Sequence, residues 1–353
     1  MAHEPVALYD YDLPAELIAQ RPLEDRAASR LLVLHRDTGR VEHHTFKDVL
    51  DYVTPGDLWI FNNTRVFPAR VFLKKDTGAD IELLFLEPVR EECGAVVWSA
   101  LARPGKRLRP GTLLFLPDAD QPVFRVVEKR GQGIVHAALL IKESLFDFLD
   151  RHGKTPLPPY IKETLADRDR YQTVYARDHG SSAAPTAGLH FTPALLDALG
   201  RQAETADVTL HIGMDTFRPV AVDDVADHTM HTEFIHIPEH TAAAVCRARS
   251  EGRRVVAVGT TSVRALESWA GHCEQEHGAL VPKEHSARTS LFIHRGYVFQ
   301  ATDAVLTNFH LPRSTLLVMI SAFAGRDHVL SAYREAVAEC YRFFSFGDAM
   351  LIV

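Results

Sequence analysis

The sequence predicts an α/β fold for this 353-residue chain: an α/β domain with a mixed, largely parallel sheet, split in sequence by an inserted small antiparallel β-barrel. Three observations predict it. Residues 65–141 hold short alternating apolar runs separated by Gly, Pro and Asp turns, the pattern of a small closed barrel. From Asp207 onward, apolar strand runs alternate with helical patterns, which favours a parallel sheet covered on its faces. Strand patterns also precede the barrel, so residues 1–64 and 142–353 form one discontinuous domain around residues 65–141.

In chain order, Asp12 and Pro14 start a helix over PAELIAQ. LLVLHRDTGRVEHHTF reads as two strands about a DTG turn, and FKDVLDYV has helical spacing until Thr54-Pro55-Gly56 stops it. The strand in DLWIFNNTRVFPARV brings Asn62, Asn63 and Arg65 together at its end. The barrel runs are ARVFL, IELLFLEPV, AVVWSALA, GTLLFLP, VFRVVEKR and IVHAALLI; ESLFDFLDRHG is then helical, and LPPYI breaks the pattern. In Thr192-Pro193 a cap residue precedes Pro at the first helical position, ahead of ALLDAL. ADVTLHIG and RRVVAVG are strands, TAAAVCRARSEG and SVRALESWAG are helices, and STLLVMISAFAG and VLSAYREAVAECYRFFSF close the domain.

At 46% hydrophobic and 24% charged, the chain has enough apolar surface for two cores. Its net charge of -7 is not that of a non-specific nucleic-acid binder, so any RNA contact needs a local basic patch. Cys93, Cys246, Cys273 and Cys340 are scattered, which predicts neither a zinc cage nor a disulfide framework and fits a reducing cytosol. MAHEPVALYDYDLP lacks a basic region followed by an apolar one, and no run has the length of a membrane span, so a cytoplasmic location is expected.

Chemistry concentrates in a few segments. GSSAAPTAGLHF, almost all small residues, reads as a loop that buries little and lets a ligand approach its backbone, with Thr186, Gly188 and His190 inside it. In RRVVAVGTTSVRALES, Thr260 and Thr261 cap a helix on which Arg264 and Glu267 share a face, at the carboxyl end of a strand where α/β sheets bind ligands. An ion pair between those two is the plain structural alternative. His211 ends a strand, and DHTMHTEF packs His228, His231 and Glu233 into six positions. That cluster suits acid/base work near neutral pH, or a metal, although no HExxH helix or partnering Cys accompanies it. TNFHLPR sets Asn308, His310 and Arg313 in a polar loop. Arg103, Lys106, Arg107 and Arg109 share one barrel turn, either as phosphate contacts or as a solvated loop.

The motifs DLPAELIAQRPLEDRAASRLLVL, NNTRVFPARV, YQTVYARDHGSSAAPTAGLHFT, TLHIGMDTFRPV, DHTMHTEF, GTTSVRALES, TNFHLPRSTLLVMISAFAG and YRFFSFGDAMLI, in this order, resemble the S-adenosylmethionine:tRNA ribosyltransferase-isomerases of queuosine biosynthesis. The resemblance implies that the ribosyl part of S-adenosylmethionine is transferred and isomerised onto 7-aminomethyl-7-deazaguanine at the tRNA wobble position. Epoxyqueuosine-tRNA forms, and adenine and methionine leave. It also implies an α/β domain with an inserted barrel, and neither metal nor any cofactor besides the consumed S-adenosylmethionine; a monomer is expected. Asp215, Ser290 and Arg295-Gly296-Tyr297 depart from the family pattern.

Under this resemblance, His190, His211, His228, His231 and Glu233 form the acid/base pool, and either His190, expected neutral beside a helix N-terminus, or His211 takes the proton next to the sulfonium. Arg264 and Arg313 pair with the methionine carboxylate. Asn62, Arg65, Thr186, Thr260, Thr261, Glu267, Asn308 and His310 orient ribose, adenine or the incoming base. Two other readings compete. An S-adenosylmethionine-dependent RNA methyltransferase would carry a Gly-rich loop after its first strand, absent here, and a non-catalytic tRNA-binding protein has no use for the His/Glu cluster.

Overall fold

The structure, a computed structural model, describes residues 3–92, 95–131, 133–163, 165, 167–213 and 220–353. The chain forms two compact units, residues 1–65, 158–178 and 184–353, and residues 66–157 with 179–183.

The strands before the second unit are β1 (Arg30–Leu34), β2 (Val41–Thr45), β3 (Leu58–Asn62) and β4 (Thr64–Val66). The second unit is a closed barrel of β5 (Arg70–Lys75), β6 (Asp80–Glu92), β7 (Ala95–Arg103), β8 (Leu113–Phe115), β9 (Pro122–Lys129) and β10 (Ile134–Leu139), in the order β10-β7-β6-β5-β8-β9, with every pair antiparallel. Each of the six apolar runs read from the sequence supplies one strand. The helix α1 (Leu145–His152) corrects the domain bounds, because it belongs with the barrel: Phe148 meets Phe124 edge-on at 5.1 Å.

The remaining elements are β11 (Asp178–Ser181), which pairs with β4 as a two-stranded ribbon, α2 (Pro193–Gly200), β12 (Glu204–Leu210), β13 (Glu233–Ile237), α3 (Glu239–Ser250), β14 (Val255–Val258), α4 (Thr260–His277), β15 (His285–Thr289), β16 (Ala304–Asn308), α5 (Thr315–Ala324), α6 (Arg326–Ala338) and β17 (Ala349–Ile352). Among the described residues these build a nine-stranded sheet, β15-β13-β12-β3-β14-β16-β17-β1-β2. The centre, β12-β3-β14-β16, is all parallel. The flanks are antiparallel except for β17 beside β1, so the sheet is more evenly mixed than the sequence implied. The central strands β3, β14 and β16 are buried at every position, as strands covered on both faces must be.

One apolar core joins Leu31, Trp59, Phe61, Val256, Val258 and Leu306 to Phe46, Ala187, Phe191 and Leu199. The small-residue loop is therefore itself core, contrary to its reading as an element that buries little. Gly188 shows why: a Cβ there would stand 1.8 Å from the Tyr175 hydroxyl, so only glycine lets the loop lie this close. Two expected α-helices are shorter 3-10 turns, at Ala15–Leu17 and Phe46–Tyr52. The Thr192-Pro193 cap is as read, with Thr192 Oγ1 accepting from Leu195 N at 3.2 Å. No helix of the described residues is long and apolar enough to cross a membrane.

Candidate active site

The four central parallel strands end on one side of the sheet, at Leu210, Asn62, Val258 and Asn308, and the loops that follow carry most of the polar residues singled out above. Asn62, fully buried, braces this edge. Its Oδ1 accepts from Thr64 N and Leu210 N, both at 3.1 Å, and its Nδ2 donates to Leu210 O at 3.1 Å and Thr261 Oγ1 at 3.0 Å. All of its hydrogen-bonding capacity is filled by the protein, which makes it a tie between three segments.

A pocket open to solvent lies at this edge. Ala184–Ala187 form one wall, Gly259–Thr261 another and Thr307–Leu311 a third, with Tyr160, Ile212, Phe344 and Ser345 completing it. Gly259, at φ 89°, is the residue that precedes α4; Thr260 and Thr261 lie inside the first turn and do not cap it. Their hydroxyls are thereby available to the pocket and to Asn62. His310 lines the pocket as a neutral imidazole, pushed down to about 3 by burial, with Nε2 2.8 Å from Thr307 Oγ1. Among the described residues lining the pocket there is no Asp, Glu, Lys or Arg.

The ionisable groups begin one residue from the pocket wall, on either side of Ile212. His211 Nδ1 lies 2.8 Å from Thr64 Oγ1, whose own proton is directed at Asp178 O at 3.4 Å. The hydroxyl therefore accepts from Nδ1–H, which leaves Nε2 as the lone-pair nitrogen. Burial lowers the His211 pKa against the opposing pull of Asp178, so the ring is neutral at pH 7. Gly213 N donates to Glu233 Oε1 at 2.9 Å, His231 Nε2 faces the same oxygen at 3.4 Å, and Glu233 Oε2 is paired with Arg264 Nη1. Burial opposes the Glu233 carboxylate, but the facing His231, Arg264 and the Gly213 N–H outweigh it and hold the group below its usual range. His228 stands beside Phe292, and burial with the neighbouring His231 lowers its pKa. Among the described residues no group of three or more His, Cys, Asp or Glu is arranged to hold a metal ion.

The family described as queuosine biosynthesis protein matches residues 6–352. The chain belongs to this family. It is 48% identical over 351 residues to the S-adenosylmethionine:tRNA ribosyltransferase-isomerase of Thermotoga maritima and 49% identical over 352 residues to that of Heliobacterium modesticaldum, covering 99% of each chain in both comparisons. A crystal structure of S-adenosylmethionine tRNA ribosyltransferase from Thermotoga maritima superposes with a TM-score of 0.55 at 36% identity, covering 98% of this chain and all of that one.

The residues expected to serve this family's reaction divide. Thr186, Thr260, Thr261, Asn308 and His310 line the pocket, and His211, His228, His231, Glu233 and Arg264 are the ionisable residues beside it. His190 belongs to neither. It is buried, stacked on Phe46 at 4.9 Å, with Nδ1 2.7 Å from Ser29 Oγ and Nε2 3.1 Å from Asn308 Nδ2. It is neutral as expected, at about 3, but burial is the main cause, followed by Arg26 and Arg342, and both ring nitrogens are occupied. Glu267 makes no pair with Arg264. Its carboxylate accepts from Gln300 N at 2.8 Å and Ala301 N at 3.1 Å, and burial raises its pKa. Gly188 contacts Tyr175, Arg65 is half-buried off the pocket, and Arg313 is exposed at φ 56°. Asp215 lies outside the described residues, while Ser290 and Arg295 are exposed. Arg103, Lys106, Arg107 and Arg109 are exposed on the barrel, where Lys75 and Lys129 reach the Arg107 and Lys106 carbonyls and extend the basic turn. Sequence reading missed Thr64 and Ser345, whose roles come from neighbours distant in sequence.

Proposed function

We propose that the protein carries out the reaction its relatives are named for, with S-adenosylmethionine consumed as ribosyl donor and tRNA as acceptor. The chain is an enzyme, a transferase and isomerase of queuosine biosynthesis. The finer reading is that the acceptor is 7-aminomethyl-7-deazaguanine at the wobble position and that epoxyqueuosine-tRNA, adenine and methionine are the products. The observation that supports it is the juxtaposition of a pocket, whose described lining is uncharged, with a neutral His211 and the Glu233–Arg264–His231 group at the ends of the parallel strands.

The sulfonium acidifies the ribose carbon bonded to it, so a neutral imidazole is basic enough to take that proton once water is excluded. His211 Nε2 fills this role, held by Thr64 through Nδ1. The aminomethyl group must be neutral to attack, and Glu233, kept ionised by its neighbours, accepts its proton. Arg264 retains a buried Nη2–H without a partner among the described residues, a donor suited to the methionine carboxylate. The exposed basic turn of the barrel contacts the tRNA backbone.

The enzyme works as a cytoplasmic monomer without metal or further cofactor. Incubation with S-adenosylmethionine labelled in the ribose and with tRNA carrying the modified guanine tests the reaction: label in tRNA with free adenine is expected, and methyl transfer or retention without turnover would defeat it. Full turnover after exhaustive chelation is expected in the same assay.

A further inference from the structure

We propose that the pocket at the ends of β3, β14 and β16 is the adenine subsite, that Asn308 Oδ1 accepts a hydrogen bond from the adenine amino group, and that His190 is the positioning residue that aims it. The inference deepens the reaction proposed above and rests on it.

The methionine end of the donor is zwitterionic, the acceptor base carries a primary amine, and the tRNA backbone is anionic. Each of these needs an opposite charge when it leaves water. The described pocket lining has no Asp, Glu, Lys or Arg, and its one histidine is held neutral by burial. Of the donor's fragments, adenine and the ribose carry no charge, and adenine is the flat, aromatic one. Walls of Pro185, Ile212, Phe309 and Phe344 suit its faces, and the Thr260 hydroxyl suits a ring nitrogen.

Asn308 lines the pocket and is 3% exposed. Its Nδ2 donates to His190 Nε2 at 3.1 Å and to Asp348 O at 3.4 Å, while its buried Oδ1 has no hydrogen-bond partner among the described residues. The orientation of the amide follows from chemistry. Turned over, Oδ1 would face the Asp348 carbonyl, and two acceptors repel. His190 enforces the same choice: Ser29 Oγ donates to Arg26 O at 3.4 Å, so it accepts from His190 Nδ1–H, and Nε2 must accept from Asn308. A chain of three residues thus presents one fixed acceptor, and a buried acceptor left unpaired is costly, so the site selects a ligand with an N–H at that point.

Calorimetry on the full chain with free adenine, hypoxanthine and L-methionine as probes tests this. Hypoxanthine replaces the amino group by a carbonyl that would oppose Oδ1. Adenine is expected to bind at least about tenfold more tightly than hypoxanthine, and methionine is expected to leave adenine binding unchanged. Asn308→Ala should abolish the preference. His190→Leu should weaken it by freeing the amide to turn, whereas His190→Gln, which restores an acceptor, should keep it. Equal affinity for the two purines, or displacement of adenine by methionine, overturns the proposal without need of any variant. Wild-type protein that transfers ribose yet ignores free adenine removes this inference alone, and protein that binds adenine with the stated preference but transfers no ribose removes the reaction while leaving the pocket.

Discussion

The hydroxyl of Thr64 stands 2.8 Å from Nδ1 of His211, although 147 residues separate the two in sequence. β3 and β12 lie side by side in parallel, and each of these residues follows the end of its strand. Because Thr64 takes the Nδ1 proton, Nε2 is the basic atom, and a lowered pKa keeps it unprotonated. His211→Ala is expected to slow single-turnover ribosyl transfer by about a hundredfold or more, the usual size of a general-base contribution, with substrate affinities and thermal midpoint little changed. The rate should hold as pH falls from 7 through about 6.5, the ordinary imidazole value, and decline only below it. A near-normal rate in His211→Ala would remove this histidine from the chemistry.

His190 has a different signature. A histidine whose folded-state pKa is depressed makes the unfolded state the better proton binder, so its contribution to stability is complete above about pH 6.5 and is lost as pH falls toward its folded value. With His190 and His310 both near 3, each should cost on the order of 2 kcal/mol by pH 5. Denaturant unfolding from pH 7 to pH 5 should show the loss, and His190→Gln should flatten the slope by one proton. An unchanged slope in that variant would mean the ring is already protonated in the folded protein.

Glu233 and Arg264 are both almost wholly buried, and their pairing is the closest ionic contact of the site. Removing one partner strands the other, so Arg264→Ala should destabilise by about 3–5 kcal/mol. Arg264→Ala with Glu233→Gln should recover part of that loss in a double-mutant cycle, because the uncompensated charge is gone. Additive effects in the cycle would show that the two do not act as a pair.

Gly188→Ala forces a methyl group against the Tyr175 hydroxyl. The expected loss is about 1–3 kcal/mol or more from overpacking, with partial recovery when Tyr175→Phe removes the hydroxyl. If Gly188→Ala unfolds at the wild-type midpoint, the close approach of this loop is not what requires glycine.

For the barrel turn, replacing Arg103, Lys106, Arg107 and Arg109 by Gln should weaken tRNA binding and flatten its dependence on salt, while S-adenosylmethionine affinity stays the same. Each phosphate that is no longer neutralised lowers the logarithmic salt slope by about 0.7–0.9. A slope equal to that of wild type identifies the turn as merely solvated.

The sequence by itself determined the two-part fold, because period-two apolar runs between turn residues and the alternation of strands with helices are local signals. It also determined the family, through eight ordered motifs, and it brought five polar residues of the pocket to notice, since Thr186, Thr260, Thr261, Asn308 and His310 stand in loops or at strand ends. Tertiary structure alone decided what those residues do. A histidine in a small-residue loop reads as a base until its two nitrogens are found bonded to Ser29 and Asn308, 161 and 118 residues away. Arg264 and Glu267 read as an ion pair at helical spacing until Glu233, from a strand that sequence reading overlooked, claims the arginine and the Gln300–Ala301 backbone claims the glutamate. Helical and strand periodicity report which face is buried, whereas the hydrogen-bond partner of a polar side chain depends on strand order and register, which only the folded sheet supplies.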